Sequence, residues 1–168
     1  MAQVTLKGNL IRTAGSLPEV GSTAPDFSVV KTDLSSLSLS ELRGKKVILN
    51  ISPSLDTPVC ATSIRRFNVE AAQRADTVVM YISKDLPFAQ KRFCAAEGID
   101  NVITGSEYRD ALFSDAYGIL ILDGPMAGLF SRAIVVIDER GTIVYTEQVP
   151  EITQEPDYDK ALAAVTAS

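Results

Sequence analysis

The chain has 168 residues, with 16 Lys and Arg against 21 Asp and Glu, and a formal net charge of −5. It carries two cysteines and neither His nor Trp. Without His there is no Ser-His-Asp triad, no Cys-His protease pair and no His-ligated zinc or haem, so any chemistry proceeds without an imidazole base.

The length fits one domain spanning 1–168, and a chain of this size buries roughly 70% of its unfolded surface. The acidic balance disfavours nucleic acid and anionic membrane as partners. The opening residues M-A-Q-V-T-L-K-G show no charged stretch followed by an apolar one, so no signal peptide is expected. No apolar run approaches the about 20 residues of a membrane helix. A cytoplasmic protein is the expectation. There thiols stay reduced, and a cysteine pair is more often catalytic or redox-active than a permanent staple.

In chain order, Val4 to Leu6 and Leu10 to Arg12 flank Gly8-Asn9, which predicts a hairpin turning at those two residues. Phe27 to Lys31 reads as a strand. Ser38-Leu39-Ser40-Glu41 has capping-box spacing and predicts a short helix ended by Gly44. Lys46 to Ile51 (K-V-I-L-N-I) is nearly continuously apolar, the pattern of a strand buried on both faces. Thr57 fits a helix N-cap and Pro58 the first helical position, with the helix running to about Ala75 and Val59, Ser63, Phe67 and Ala71 on one stripe. Thr77 to Ile82 is a second buried strand. Pro87 to Glu97 is helical and closed by Gly98, Val102 to Thr104 is a short strand, and Glu107 to Tyr117 is helical and ended by Gly118. Arg132 to Asp138 and Thr142 to Gln148 form a hairpin around Glu139-Arg140-Gly141. Asp157 to Ala167 is the last helix. Alternating strands and helices followed by an antiparallel hairpin and a helix predict an α/β protein with a central mixed sheet and helices on both faces. The thioredoxin-like fold has this order, with a flavodoxin-like sheet as the alternative.

Cys60 falls in the first turn of the helix begun by Thr57-Pro58. Free backbone N–H groups and the positive end of the helix dipole favour an anion there, so the position suits a reactive thiolate. Placement alone leaves a second reading open, in which Cys60 is a small buried hydrophobe.

The segment P-S-L-D-T-P-V-C matches the peroxiredoxin signature P-x-x-x-T-x-x-C through Pro53, Thr57 and Cys60. With P-S-L-D-T-P-V-C-A-T-S-I-R-R-F-N, S-K-D-L-P-F-A-Q-K-R-F-C, N-V-I-T-G-S and D-G-P-M-A-G-L-F-S-R-A-I-V-V-I-D, the chain resembles the atypical two-cysteine thiol peroxidase branch of that family over essentially its whole length. The resemblance implies a thioredoxin-like fold and an enzyme that reduces hydrogen peroxide and organic hydroperoxides in antioxidant defence. Cys60 matches the peroxidatic cysteine. Thr57 matches the hydroxyl that hydrogen-bonds the thiolate and the peroxide, and Pro53 the residue that shields the pocket. Arg132 matches the arginine that stabilises the thiolate and the breaking O–O bond. Cys94 matches the resolving cysteine, which would form an intramolecular disulfide with Cys60 that thioredoxin reduces. A homodimer packed near the active-site loop is implied, with no cofactor and no metal.

Each residue also has a plainer reading: Thr57 as a helix cap, Arg132 as a solvated charge, Cys94 as a spectator thiol. Arg65 and Arg66, one to two turns after Cys60, read as a solvated helix face. Ser52 stands where the family often has a bulky apolar residue, which predicts a more polar pocket rim. There is no C-x-x-C, P-loop or G-x-G-x-x-G. Two other functions fit a cysteine pair on this fold: a redox sensor whose disulfide is the signal, and a non-enzymatic binding module. The pair Thr57 and Arg132 separates them from the peroxidase, because a sensor does not need both and a binding module needs neither.

Overall fold

The apolar runs become the centre of a seven-stranded mixed sheet. The structure is a computed structural model, and it describes residues 2–168. The strands are β1 (Gln3–Leu6), β2 (Asn9–Arg12), β3 (Ser28–Val30), β4 (Ser36–Ser38), β5 (Lys46–Ile51), β6 (Thr77–Ser83), β7 (Val102–Ser106), β8 (Ala133–Ile137) and β9 (Ile143–Gln148). The helices are α1 (Pro58–Ala72), α2 (Pro87–Glu97), α3 (Leu112–Tyr117) and α4 (Tyr158–Ala167). The large sheet has the order β4-β3-β7-β6-β5-β8-β9, and β1 and β2 form a separate hairpin. Strands β5, β6 and β7 are parallel, whereas β8 joins β5 antiparallel. This is the thioredoxin-like α/β arrangement, with helices on both faces.

Strand β5 is buried along its whole length because both of its faces are covered. Val47, Leu49 and Ile51 point into a core with Phe27, Phe113, Tyr117, Phe130 and Val135. Ile48 points the other way, toward Phe67 of α1 and Leu162 and Val165 of α4. On the first side Phe113 lies 4.7 Å from both Phe27 and Tyr117, ring centre to ring centre. The buried stripe of α1 is Cys60, Ser63, Ile64 and Phe67; it keeps the expected Ser63 and Phe67 and adds Cys60 and Ile64, while Val59 and Ala71 are half-buried at its edge.

Three local expectations are corrected and one strand is added. The hairpin turns at Lys7-Gly8, with φ of 51° and 81°, and Asn9 already pairs with Leu6; two positive φ values are what a two-residue hairpin with native twist demands. The short helix after Ser38 is a 3₁₀ turn, Leu39–Leu42, where the Glu41 carboxylate accepts from the Ser38 N–H at 2.7 Å. A strand, β4, precedes it and pairs with β3. Only Leu112–Tyr117 of the helix expected from Glu107 forms. Glu107 is instead buried at the end of β7, where its carboxylate accepts from the Ser114 N–H at 2.6 Å and the Ser114 hydroxyl at 2.7 Å and pairs with Lys84 at 3.1 Å. Those partners satisfy a carboxylate that a helix start would have left to solvent.

The hairpin has a structural task. Val4 and Ile11 pack on Ile121 and Ile152. The Glu151 carboxylate accepts from the N–H groups of Thr153 and Gly8 at 3.0 and 2.9 Å and from the Thr5 hydroxyl at 3.0 Å. These bonds, led by those from Thr153 and Gly8, hold the Glu151 carboxyl down at about 2, from an ordinary 4.5. A carboxyl depressed by folding contributes stability above its ordinary value and loses it as the pH falls toward the folded value. Denaturation at successive pH values is therefore expected to show a shallower acid limb between 4.5 and about 2 in Glu151→Gln than in the parent. An unchanged limb would remove Glu151 as a source of acid sensitivity.

Candidate functional site

Strand β5 ends at Ile51 and the chain turns through Ser52-Pro53-Ser54-Leu55-Asp56 into α1. Pro53 is buried in this turn. Thr57 has the extended backbone of an N-cap, φ −95° and ψ 143°, and Pro58 opens the helix with its fixed φ and no N–H to satisfy. The first intrahelical bond runs from the Ala61 N–H to the Thr57 carbonyl at 3.2 Å. The N–H groups of Val59 and Cys60 precede it and have no partner within the helix.

Cys60 sits in that first turn and is completely buried. Its neighbour comes from the adjacent strand of the sheet. Arg132 stands immediately before β8, the antiparallel neighbour of β5, and is 2% exposed. Its Nη1–H donates to the Cys60 Sγ at 3.1 Å, and its Nε–H donates to the Ile152 carbonyl at 2.8 Å. The hairpin that anchors Ile152 therefore also fixes the arginine. No carboxylate pairs with Arg132 among the described residues.

That last fact sets the electrostatics. A buried guanidinium stays charged, and leaving it without a counter-charge costs about 3–5 kcal/mol. The Cys60 sulfur is the group placed beside that charge, and it stands in the first turn of α1, at the positive end of the helix dipole. Burial of Arg132 rules out the reading of it as a solvated charge, and Cys60 makes a polar contact beyond apolar packing.

Thr57 departs from expectation. Its hydroxyl donates to the Ser54 carbonyl at 3.0 Å, and it makes no side-chain cap on α1. It is therefore bonded neither to the Cys60 sulfur nor to the helix it precedes. A hydroxyl that donates to a carbonyl keeps its lone pairs for another donor.

Beneath the turn lies a buried polar layer. The Asn50 side-chain amide donates to the Ser63 hydroxyl at 3.1 Å, and that hydroxyl donates to the Cys60 carbonyl at 3.0 Å. The Ser52 hydroxyl bonds the Tyr81 hydroxyl at 2.6 Å, and both residues are fully buried. Ser52 thus faces the interior and does not form a polar pocket rim. Burial raises the Tyr81 phenol well above its ordinary range, with the nearby Cys60 sulfur and Asp85 carboxylate adding to it. Tyr81 consequently stays protonated and can donate.

Cys94 is on α2, half-buried, and both cysteines are free thiols. It packs with Phe93 on the cluster of Leu55, Ile64, Tyr81 and Ile99, which also receives α1. Its other side lines a surface groove with Lys91, Ile99 and Thr104. Burial raises the Cys94 thiol, with the Thr104 side chain opposing the rise. The carbonyl of Cys94 accepts from Gly98, whose φ of 67° closes the helix, so the segment carrying the thiol ends within a turn of it.

Arg65 and Arg66 occupy the outer face of α1, as expected. Arg65 pairs with Glu97 of α2 at 3.0 Å, and Arg66 pairs with Glu70 and Asp159. Among the described residues no cluster of three or more His, Cys, Asp or Glu side chains could hold a metal, and no helix is long and apolar enough to cross a membrane.

The sequence reading missed Asp85 and Tyr81, both within the environment of the Cys60 turn. Asp85 carried a faint signal as the lone acid in S-K-D-L-P, two residues before a helix-opening proline.

The family model described as Redoxin matches residues 19–162. A thiol peroxidase of Mycobacterium tuberculosis is 59% identical over 167 residues, covering 99% of this chain and 100% of that protein. A thiol peroxidase of Leptospira interrogans is 51% identical over 170 residues, covering 100% of this chain and 99% of that protein. The crystal structure of a peroxiredoxin-like protein from Aquifex aeolicus superimposes with a TM-score of 0.94 at 39% identity, covering 99% of this chain and 97% of that one. Likeness at this identity over both full lengths, on a fold that seats a buried cysteine against a buried arginine, places the chain in the peroxiredoxin family of thiol peroxidases.

Proposed function

We propose that the chain reduces hydrogen peroxide and organic hydroperoxides through Cys60, forms an intramolecular disulfide with Cys94, and is recycled by thioredoxin as a cytoplasmic antioxidant enzyme. The observation that carries the reading is the 3.1 Å contact between the Arg132 Nη1 and the Cys60 Sγ at a helix N-terminus.

The Cys60 thiolate attacks the terminal oxygen of the peroxide. An S–O bond forms, the O–O bond breaks, and the leaving hydroxide or alkoxide takes a proton from solvent to become water or alcohol. Arg132 stabilises the negative charge that passes from sulfur to the leaving oxygen. Thr57, already donating to Ser54, accepts from the peroxide O–H and so orients it. Pro53 excludes water from the sulfur. The sulfenic acid then condenses with the Cys94 thiol, releasing water and forming the disulfide, which a dithiol reductant opens by exchange. A sulfur buried in α1 and a thiol on α2 meet only if part of these segments loosens during turnover.

This cycle separates the two cysteines experimentally. Cys94→Ser is expected to consume about one peroxide per chain and then stop under thioredoxin and its reductase. Sustained cycling in that variant would remove Cys94 from the mechanism.

A homodimer near the site is part of the proposal. Strands β6 and β7 end side by side, with Ser83 opposite Ser106, at the same end of the parallel strands as the Cys60 turn. The segments leaving them expose Leu86, Phe88, Tyr108 and Leu112, with Phe88 65% exposed. Large apolar side chains grouped at one end of a soluble fold are what a subunit contact covers. Sedimentation at micromolar concentration gives the mass directly.

A further inference from the structure

The proposed reaction uses the Thr57 hydroxyl and the Cys60 sulfur, yet neither holds the turn that carries them. Asp85 does. It lies just after β6, half-buried, outside the signature segment. One carboxylate oxygen accepts from the Ser54 hydroxyl at 2.8 Å. The other accepts from the Leu55 N–H at 2.8 Å and the Ser83 hydroxyl at 2.6 Å. Ser54 is the residue whose carbonyl takes the Thr57 O–H. The carboxylate is therefore one residue removed from the hydroxyl that orients the peroxide.

The same group reaches the other cysteine's helix. The Gln90 side chain of α2, fully buried one turn before Cys94, donates to the Gly105 carbonyl at 2.9 Å and, at a long 3.4 Å, to the Ser83 hydroxyl. Ser83 is also the donor to Asp85. A continuous chain of polar contacts thus runs from α2 through Gln90, Ser83 and Asp85 to the Ser54-Leu55 backbone and on to Thr57. Ionic hydrogen bonds are the strong members of such a chain, so the carboxylate is its anchor.

We propose that Asp85 is the positioning residue of this site, clamping the Ser54–Thr57 turn so that the Thr57 hydroxyl and the Cys60 sulfur are aligned for a peroxide, and tying that alignment to the docked state of the Cys94 helix. The inference rests on the peroxidase reading above. Asp85 touches neither the sulfur nor the substrate; it acts through the turn. When α2 loosens, Gln90 leaves Ser83 and the clamp weakens with it, so the two segments release together.

The test uses the full chain with Cys94→Ser, where one reaction with peroxide can be followed without disulfide formation. Asp85→Ala is expected to slow the reaction with hydrogen peroxide by roughly 10- to 100-fold, the cost of misplacing reacting groups by an ångström or less. Alkylation of Cys60 by iodoacetamide, which needs an accessible thiolate but no aligned hydroxyl, should stay level or quicken as the buried sulfur is uncovered. Asp85→Asn keeps a carbonyl oxygen for Leu55 and an amide for Ser54, and is expected to restore the peroxide rate to within about threefold of the parent. Ser54→Ala, which removes one arm of the clamp, should fall between the two. A peroxide rate unchanged in Asp85→Ala would overturn the proposal. So would parallel slowing of both reagents, or an Asn variant as slow as the Ala variant. A parent protein inert to peroxide would overturn the peroxidase reading itself and this inference with it.

Discussion

Cys60→Ser is expected to abolish peroxide reduction, leaving only the background rate of buffer. The argument is one of chemistry as well as placement. A serine hydroxyl in the same pocket stays protonated at neutral pH and is a poor nucleophile toward a peroxide oxygen. The chain has one other thiol, Cys94, whose burial holds it in the thiol form and which lies away from the arginine. No histidine exists to activate either group. The substitution is nearly isosteric at a completely buried position, so the packing should persist, but a neutral hydroxyl leaves the buried Arg132 without a counter-charge and stability should fall, by up to about 3–5 kcal/mol. Coupled NADPH oxidation with thioredoxin and its reductase measures the loss, and thermal melting measures the persistence. Residual turnover in Cys60→Ser above the buffer rate would move the chemistry elsewhere.

The second large effect is expected at Arg132. Arg132→Met keeps the length and apolar stem of the side chain but removes the charge and the donor at 3.1 Å from the sulfur. The second-order rate constant with peroxide should fall by about 10²–10³-fold, the magnitude associated with losing one preorganised donor to developing charge. Two contributions combine: the sulfur loses the cation beside it, and the leaving oxygen loses its cationic partner. Ultraviolet thiolate absorbance separates them, since it reports only the first. Loss of the charge itself should cost little stability. Removing a buried charge together with the anion it held is often neutral, because both desolvation costs disappear at once. The Ile152 carbonyl loses its donor, which costs about 1–3 kcal/mol unless water replaces it. An unchanged thiolate signal and an unchanged rate would take Arg132 out of the site.

Much of the architecture was legible in the sequence, for local reasons. K-V-I-L-N-I has no polar alternation, so it reads as a strand covered on both faces, and β5 is that strand. Thr57-Pro58 and Gly98 carry start and stop information in single residues, and α1 and α2 begin and end there. What was not legible depends on contacts made across the fold. Ser36–Ser38 is three residues with one apolar side chain, too short for a period, and becomes a strand only because β3 lies beside it. Glu107 favours a helix by composition, yet Lys84 and Ser114 draw it into the core.

The site divides the same way. Cys60 could be placed at the head of a helix from its neighbours alone, whereas Arg132 entered only through the family resemblance. Their separation in sequence, 72 residues, hides the contact, which needs β5 and β8 to pair antiparallel. The resemblance assigns the Thr57 hydroxyl to the thiolate; its bond to Ser54 is made in a turn whose Ser54 and Leu55 bond Asp85, 31 residues from Ser54. The absence of His, at first only an exclusion, acquires a mechanism. In the proposed mechanism, Arg132 and the amides of α1 do by fixed charge what an imidazole would do by proton transfer.

The central claim, that Cys60 is the oxidised nucleophile and Cys94 its partner, is tested most directly by peptide mapping of the wild-type chain after about one equivalent of hydrogen peroxide, without reductant. The account predicts that both free thiols disappear together and that the Cys60 peptide is recovered joined to the Cys94 peptide of the same chain. Recovery of Cys60 as an unmodified thiol, with the peroxide consumed or not, would contradict it.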